Sequence, residues 1–303
     1  MLGDIILASS HESPYRHGAL ARWRKGLLCA LAGLLLCGVA HAANPTSWWV
    51  DIANDRTAKV KNALASGADP NEISPDGQPA IMQAIRDGAW GVYDVLVVHP
   101  KTVLNAINTH RETPLMYLAV AGQTERAQDL IRRGALVNRL GWTPLQYAAS
   151  KGHLDTVKML VANKAIVNAP GPDGITALMM AAYGGNEPVV QYLLSAGADV
   201  TMKSTQDYDA AHWARLKNHN ALANKLDALS SRVLAQRAAQ RGGQAGVAAG
   251  DARPAQAGEQ PGIDLNTVDA AAAPPNTGGK KEPAANSTSR YFDLDRFNED
   301  PTP

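Results

Sequence analysis

Three short segments recur in phase: Thr113-Pro114-Leu115, Thr143-Pro144-Leu145 and Thr176-Ala177-Leu178. Twenty-one residues after each leading Thr comes a second mark, Gly134-Ala135, Lys164-Ala165 and Gly197-Ala198-Asp199. Weaker copies are led by Thr46, Pro79 and Asp209, so the leaders stand at 46, 79, 113, 143, 176 and 209, with spacings of 33, 34, 30, 33 and 33. A period of that length sustained over six units restricts the chain to a stacked array, in which each unit contacts its neighbours and little else.

Each unit reads as a helix–turn–helix. Pro in the first turn costs no hydrogen bond, because that N–H has no partner in a helix anyway. In the unit led by Thr143 a short helix follows, with the small pair Ala148-Ala149 permitting close approach of a neighbour. Gly152-His153 breaks it, and a second helix over Leu154–Ala162 carries Val157, Leu160 and Val161 at helical spacing. The Gly-Ala-Asp mark supplies a residue suited to positive φ at the helix exit. The turn that follows, such as Asn168–Gly174, is rich in Pro, Gly and Asp and predicts an exposed finger. Helices this short are marginal alone; stacking buries their apolar faces in one continuous core.

The motifs TPLMYLAVAG, TPLQYAASKGHLDTVKMLV, TALMMAAYGG and LLSAGADV resemble ankyrin repeats, and the resemblance covers about residues 46–229. It implies an all-α solenoid of about six helix–turn–helix repeats with short β-hairpin fingers. The units led by Thr46 and Asp209 are degenerate, as capping repeats with a solvated outer face are expected to be. Val98-His99-Pro100-Lys101 replaces the Gly-Ala-Asp mark in the second unit, so a distorted helix exit is expected there. The turn Asn138–Gly141 is three residues shorter than Asn168–Gly174, which predicts one stunted finger.

The resemblance also implies a binding face, made of finger tips and the exposed side of each first helix. Carried over by phase, the position after the finger turn is Gln78, Glu112, Trp142, Ile175 and Tyr208. The pair ending each first helix is Arg86-Asp87, Val120-Ala121, Ser150-Lys151, Tyr183-Gly184 and Leu216-Lys217. The expected partner-binding residues are therefore Trp142, Ile175, Tyr183, Tyr208, Leu216, Glu112 and Lys151. Clustered exposed apolar side chains with Trp and Tyr among them are the usual anchors for a protein partner.

The two ends read differently. A basic cluster (Arg22, Arg24, Lys25), an apolar run from Gly26 to Ala40 and a closing Ala40-His41-Ala42 form the three-part pattern of a secretory signal, with cleavage expected after Ala42. The run is 15 residues long, short of the ~20 that span a bilayer; an uncleaved inner-membrane anchor is the alternative. Both cysteines, Cys29 and Cys37, lie in this segment, so no disulfide or thiolate is expected in the mature chain. From Ser231 to Arg290 there are 15 Ala, 8 Gly and 5 Pro, a composition that cannot offset chain entropy by burial, and disorder is expected over 231–303. Arg232–Arg241 favours helix and can extend the last one. Both Phe of the chain, Phe292 and Phe297, fall in Tyr291–Phe297, a candidate docking segment; residues 291–303 carry four acids against one Arg. The expected organisation is a signal peptide over 1–42, a repeat domain over 43–230 and the tail over 231–303.

Charge and motif content narrow the function. Residues 46–229 hold 17 basic and 17 acidic side chains, which argues against nucleic acid as a partner. None of His99, His110, His153, His212 and His219 has metal-ligand spacing, and no nucleophile elbow, phosphate loop or dinucleotide fingerprint is present. His153 and His219 occupy the Gly-His position between helices, where the ring is expected to bond backbone. The expected function is that of an exported bacterial, non-enzymatic module, monomeric, without metal or cofactor, binding a protein partner in the periplasm. An immunity-type inhibitor of a toxic enzyme is the alternative within binding, and an enzyme or metal site assembled across repeats is the rival outside it.

Overall fold

The computed structural model describes residues 44–244 and Leu265. The signal-like segment and the Tyr291–Phe297 segment lie outside the described residues. Twelve α-helices form six antiparallel pairs, one per unit: α1 (Trp48–Ala53) with α2 (Thr57–Ala65), α3 (Ala80–Arg86) with α4 (Trp90–Val98), α5 (Pro114–Val120) with α6 (Thr124–Arg132), α7 (Pro144–Lys151) with α8 (Leu154–Ala162), α9 (Ala177–Tyr183) with α10 (Glu187–Ser195), and α11 (Ala210–Leu216) with α12 (Asn220–Gln244). First helices stack in one row from α1 to α11 and second helices lie outside them, with α8 between α6 and α10. The molecule is thus an all-helical solenoid.

The leaders start the first helices by capping them. Thr113, Thr143 and Thr176 each accept the backbone N–H three residues on, and Asp209 does the same at 2.9 Å from His212 N. At Thr143 the cap is reciprocal, since Gln146 Oε1 accepts the Thr143 N–H at 2.7 Å. Between the helices of each pair the chain turns through a left-handed residue, and at Gly122 the His153 ring occupies the space a side chain would need. That ring places Nε2 2.9 Å from the Val120 carbonyl, the expected backbone contact.

The fingers are turns rather than the expected β-hairpins. Among the described residues they hold one isolated antiparallel bridge, Ile73 to Pro79. In four of them the residue that opens the turn donates its N–H to the carbonyl four residues on: Ser74 to Gln78 at 2.9 Å, Asn108 to Glu112 at 3.1 Å, Gly171 to Ile175 at 2.8 Å and Ser204 to Tyr208 at 2.9 Å. Its own carbonyl accepts from the residue three on, Gly77, Arg111, Gly174 and Asp207. Segments this short close on these local bonds and leave no length for a strand ladder. The shortened finger of the fourth unit is held instead by Arg139, which donates to the Arg111 carbonyl of the preceding finger.

Neighbouring repeats are clasped by a ladder of asparagines. Asn44, Asn71, Asn105, Asn138 and Asn168 each donate Nδ2 to the carbonyls of Asp69, Lys101, Gly134, Lys164 and Gly197 in turn. Each Oδ1 accepts an N–H from the same loop, that of Asp69, Val103, Leu136, Ile166 and Asp199. The loops so clasped leave the second helices through a left-handed residue in most units: Gly67, Gly134, Gly197 and Lys164, the last at φ 68°. The second unit differs as expected, for His99 caps α4 in an extended conformation at φ −71°. There Arg126 of α6 reaches back to lie 4.6 Å over the Trp90 ring and 3.5 Å from Asp94.

Lys164 carries a side chain where L-residues are disfavoured. The equivalent Gly134 and Gly197 have open space where a Cβ would project. We expect Lys164→Gly to raise stability by about 0.5–1 kcal/mol, the relief of backbone strain less the added chain entropy of glycine. Urea denaturation reads it as a higher midpoint at constant slope.

Helix α12 runs unbroken to Gln244 and takes in the Arg232–Arg241 segment whose composition favours helix. Its extension is held on the solenoid by Arg237, which donates to Thr201 Oγ1 at 2.7 Å and to Asp199 Oδ2 at 3.0 Å. Thr201 stands where the earlier units carry their clasping Asn, so Arg237 takes over the contact at the end of the ladder. Burial pushes the Asp199 carboxyl up, but the hydrogen bonds from Thr201 and Arg237 more than offset it, leaving the group below its ordinary value. A depressed carboxyl contributes stability that is present above the ordinary aspartate range and is lost as pH falls through the folded value. The stability difference between the wild type and Arg237→Gln is therefore expected to be full at neutral pH and to shrink below about pH 4, as thermal melts across pH would show.

Candidate functional site

The position after each finger turn lies inside the inter-repeat contact. Gln78 Nε2 donates to Tyr117 Oη of the next first helix at 3.0 Å, and Tyr147 Oη of the following one donates to Glu112 Oε1. Asn108 joins the two, with Nδ2 2.8 Å from Glu112 Oε2, 3.1 Å from Tyr117 Oη and 3.3 Å from Gln78 Oε1. The result is one buried polar chain crossing three repeats, and Glu112 within it is 2% exposed. Arg139 stands over its edge; burial, then Arg111, lowers its guanidinium below the ordinary arginine value, while Tyr147 and Glu112 act in the opposite direction.

The exposure expected of four site residues is accordingly corrected. Glu112, Trp142, Ile175 and Tyr208 are buried. Because the closed turn folds the finger back over the row of first helices, the side chain after it points between successive repeats. Trp142 meets Tyr147 edge to face with centroids 6.4 Å apart, and Tyr208 stacks on His212 at 3.9 Å. The Ile175 carbonyl accepts from Gln146 Nε2 at 2.7 Å. Trp142 and Tyr208 are thus packed into the core rather than presented to solvent.

The first-helix ends keep the other three at the surface. Tyr183, Leu216 and Lys151 are half-buried. Tyr183 rests edge-on against Trp213 with centroids 5.8 Å apart, and Lys217 Nζ lies 5.0 Å over its ring. At the N-terminal end of the row Arg86 and Asp87 are tied to Gln83. The face therefore grades from charged at α3 to aromatic and cationic at α9 and α11. On its fingertip edge stands Leu140, which is 95% exposed at the tip of the shortened finger. The sequence signal for it was the missing three residues, which leave an apolar residue at the apex of a turn too short to fold it inward. Among the described residues no cluster of three His, Asp or Glu side chains is disposed to hold a metal ion, and no helix is long and apolar enough to cross a membrane.

Comparison with known proteins agrees with this geometry. A family model described as ankyrin repeats (3 copies) matches residues 130–204. The chain carries ankyrin repeats. It is 31% identical over 145 residues to ankyrin repeat and SAM domain-containing protein 6 of Rattus norvegicus, and 33% identical over 145 residues to the protein of that name from Mus musculus. In each case the match covers 46% of this chain and 13% of the relative, so the chain spans a small part of the length of the curated relatives it matches. Ankyrin repeats imply a protein–protein interaction module.

Proposed function

We propose that the chain is a non-enzymatic binding module, exported to the periplasm, that holds a protein partner on the concave face of its ankyrin solenoid. The observation that carries the reading is Leu140, a large apolar side chain 95% exposed at the tip of the shortened finger, taken with half-buried Tyr183 and Leu216 and the cations Lys151 and Lys217 at the first-helix ends. An apolar tip, an aromatic side chain and lysines together suit a protein surface with an apolar spot and acidic surroundings. In a quantitative pull-down from a periplasmic extract, Leu140→Ser with Tyr183→Ala is expected to cut capture of the dominant partner about tenfold or more. Leu140→Ser alone is expected to weaken capture with the thermal midpoint nearly unchanged, which separates binding from the packing of Tyr183 on Trp213. Capture undiminished in the double variant would overturn the concave reading.

Export rests on the Arg22–Ala42 pattern. N-terminal sequencing of the chain from cells is expected to begin at Ala43. An uncleaved chain in the membrane pellet would replace export with anchoring.

A further inference from the structure

Two residues past the helix exits of Gly67 and Gly197, the loops of the outer repeats carry Asp69 and Asp199. The three middle repeats carry Val103, Leu136 and Ile166 at that same place, as the ladder shows, for each gives its N–H to the asparagine of the preceding unit. The ladder fixes all three backbones and turns the side chains out: they are 51%, 62% and 58% exposed. Beside them stand exposed Lys101, Arg133 and Lys164; Arg133 shares Asp129 with Arg132 at 2.6 Å and 3.1 Å. The result is an apolar stripe with a basic border, on the loops that leave the second helices rather than on the concave face, and closed at both ends by an aspartate.

The chain itself holds a segment of complementary chemistry. Tyr291-Phe292-Asp293-Leu294-Asp295-Arg296-Phe297 alternates apolar and acidic residues, and residues 291–303 carry four acids against one Arg. The tail also returns to the solenoid before reaching it. Leu265 is 0% exposed and its N–H donates to Gln191 Oε1 of α10 at 2.7 Å, one repeat beyond the loop of Ile166. Twenty-five residues then separate Leu265 from Tyr291. At no more than ~3.5 Å per residue, a chain of that length can reach across three repeats whose helices pack ~10 Å apart. Tethering on that scale gives an effective concentration on the order of millimolar, enough to fill a site of modest intrinsic affinity.

We infer that the Val103–Leu136–Ile166 stripe is the docking site of the chain's own Tyr291–Phe297 segment, with Phe292, Leu294 and Phe297 on the apolar residues and Asp293 and Asp295 facing Lys101 and Lys164. The test is zero-length carbodiimide crosslinking of the full chain at low protein concentration, with mass-spectrometric mapping. Crosslinks joining Lys101 or Lys164 to Asp293 or Asp295 are expected within one chain, at a yield independent of dilution. They should fall several-fold in Phe292→Ala with Phe297→Ala, which leaves every described residue of the solenoid intact, while hydroxyl-radical footprinting of Leu136 and Ile166 rises by a similar factor. Absence of those crosslinks, or footprints equal in the two proteins, overturns the assignment. Crosslinks found between isotopically distinct copies overturn it too, and make a second chain the occupant. None of these readouts depends on the concave-face partner, so either reading can fail alone.

Discussion

Trp142→Ala is expected to lower the free energy of unfolding by about 3–5 kcal/mol, the range for deleting a large aromatic side chain from a packed interior. The indole is buried at the foot of the shortened finger, edge-on to Tyr147, whose hydroxyl in turn holds Glu112. Removing it opens a cavity beside Tyr147 and Gly171, and loosens the polar chain through Tyr147. That chain is costly to disturb, since a buried polar atom left without its partner forfeits about 1–3 kcal/mol. Chemical denaturation of the single variant decides the matter. A loss under about 0.5 kcal/mol, the size of an ordinary surface substitution, would put the indole back on the binding surface.

Leu160→Ala is expected to cost about 2–5 kcal/mol. Leu160 is fully buried in α8, the second helix that lies between α6 and α10, so the lost contacts belong to two inter-repeat interfaces at once. In a solenoid, stability is close to a sum of repeat and interface terms, and weakening a central repeat weakens the coupling of both halves. A broadened transition, or a lower slope with denaturant, is the expected accompaniment. The control is Leu140→Ala, where an exposed fingertip residue is removed and the midpoint should hold. Equal midpoints for wild type and Leu160→Ala would mean that the helical phase assigned to the fourth unit is wrong.

The fold was legible because its signals are local and repeated. Thr-Pro-Leu carries a cap and a first turn, the Gly-Ala mark carries a helix exit, and neither needs knowledge of distant contacts. Val98-His99-Pro100-Lys101 announced the extended exit of α4 for the same reason. The binding face was legible only in outline. Phase placed Trp142, Ile175, Tyr208 and Glu112 next to the finger, but whether a side chain there faces solvent or packs inward depends on how each turn closes, by local bonds in four fingers and through Arg139 in the shortened one, and sequence does not show that. The helix-favouring run Arg232–Arg241 was legible as an extension of α12, whereas the two contacts by which Arg237 ties it to Asp199 and Thr201 were not, since they join residues 38 and 36 positions apart. The apolar stripe was readable in principle, since it is a substitution of Val103, Leu136 and Ile166 at a phase that elsewhere holds Asp.

A linear stack of like units has no inherent reason to stop at six, because each interface it makes could be made again by another molecule. Asn44 opens the series at one end, but at the other end Thr201 cannot reach across a gap as an asparagine does, and Arg237 already fills the acceptor and the carboxylate there. Arg237 thus occupies, from within the chain, the groups through which one more unit would be clasped, the heterologous contact by which stacks of like units grow.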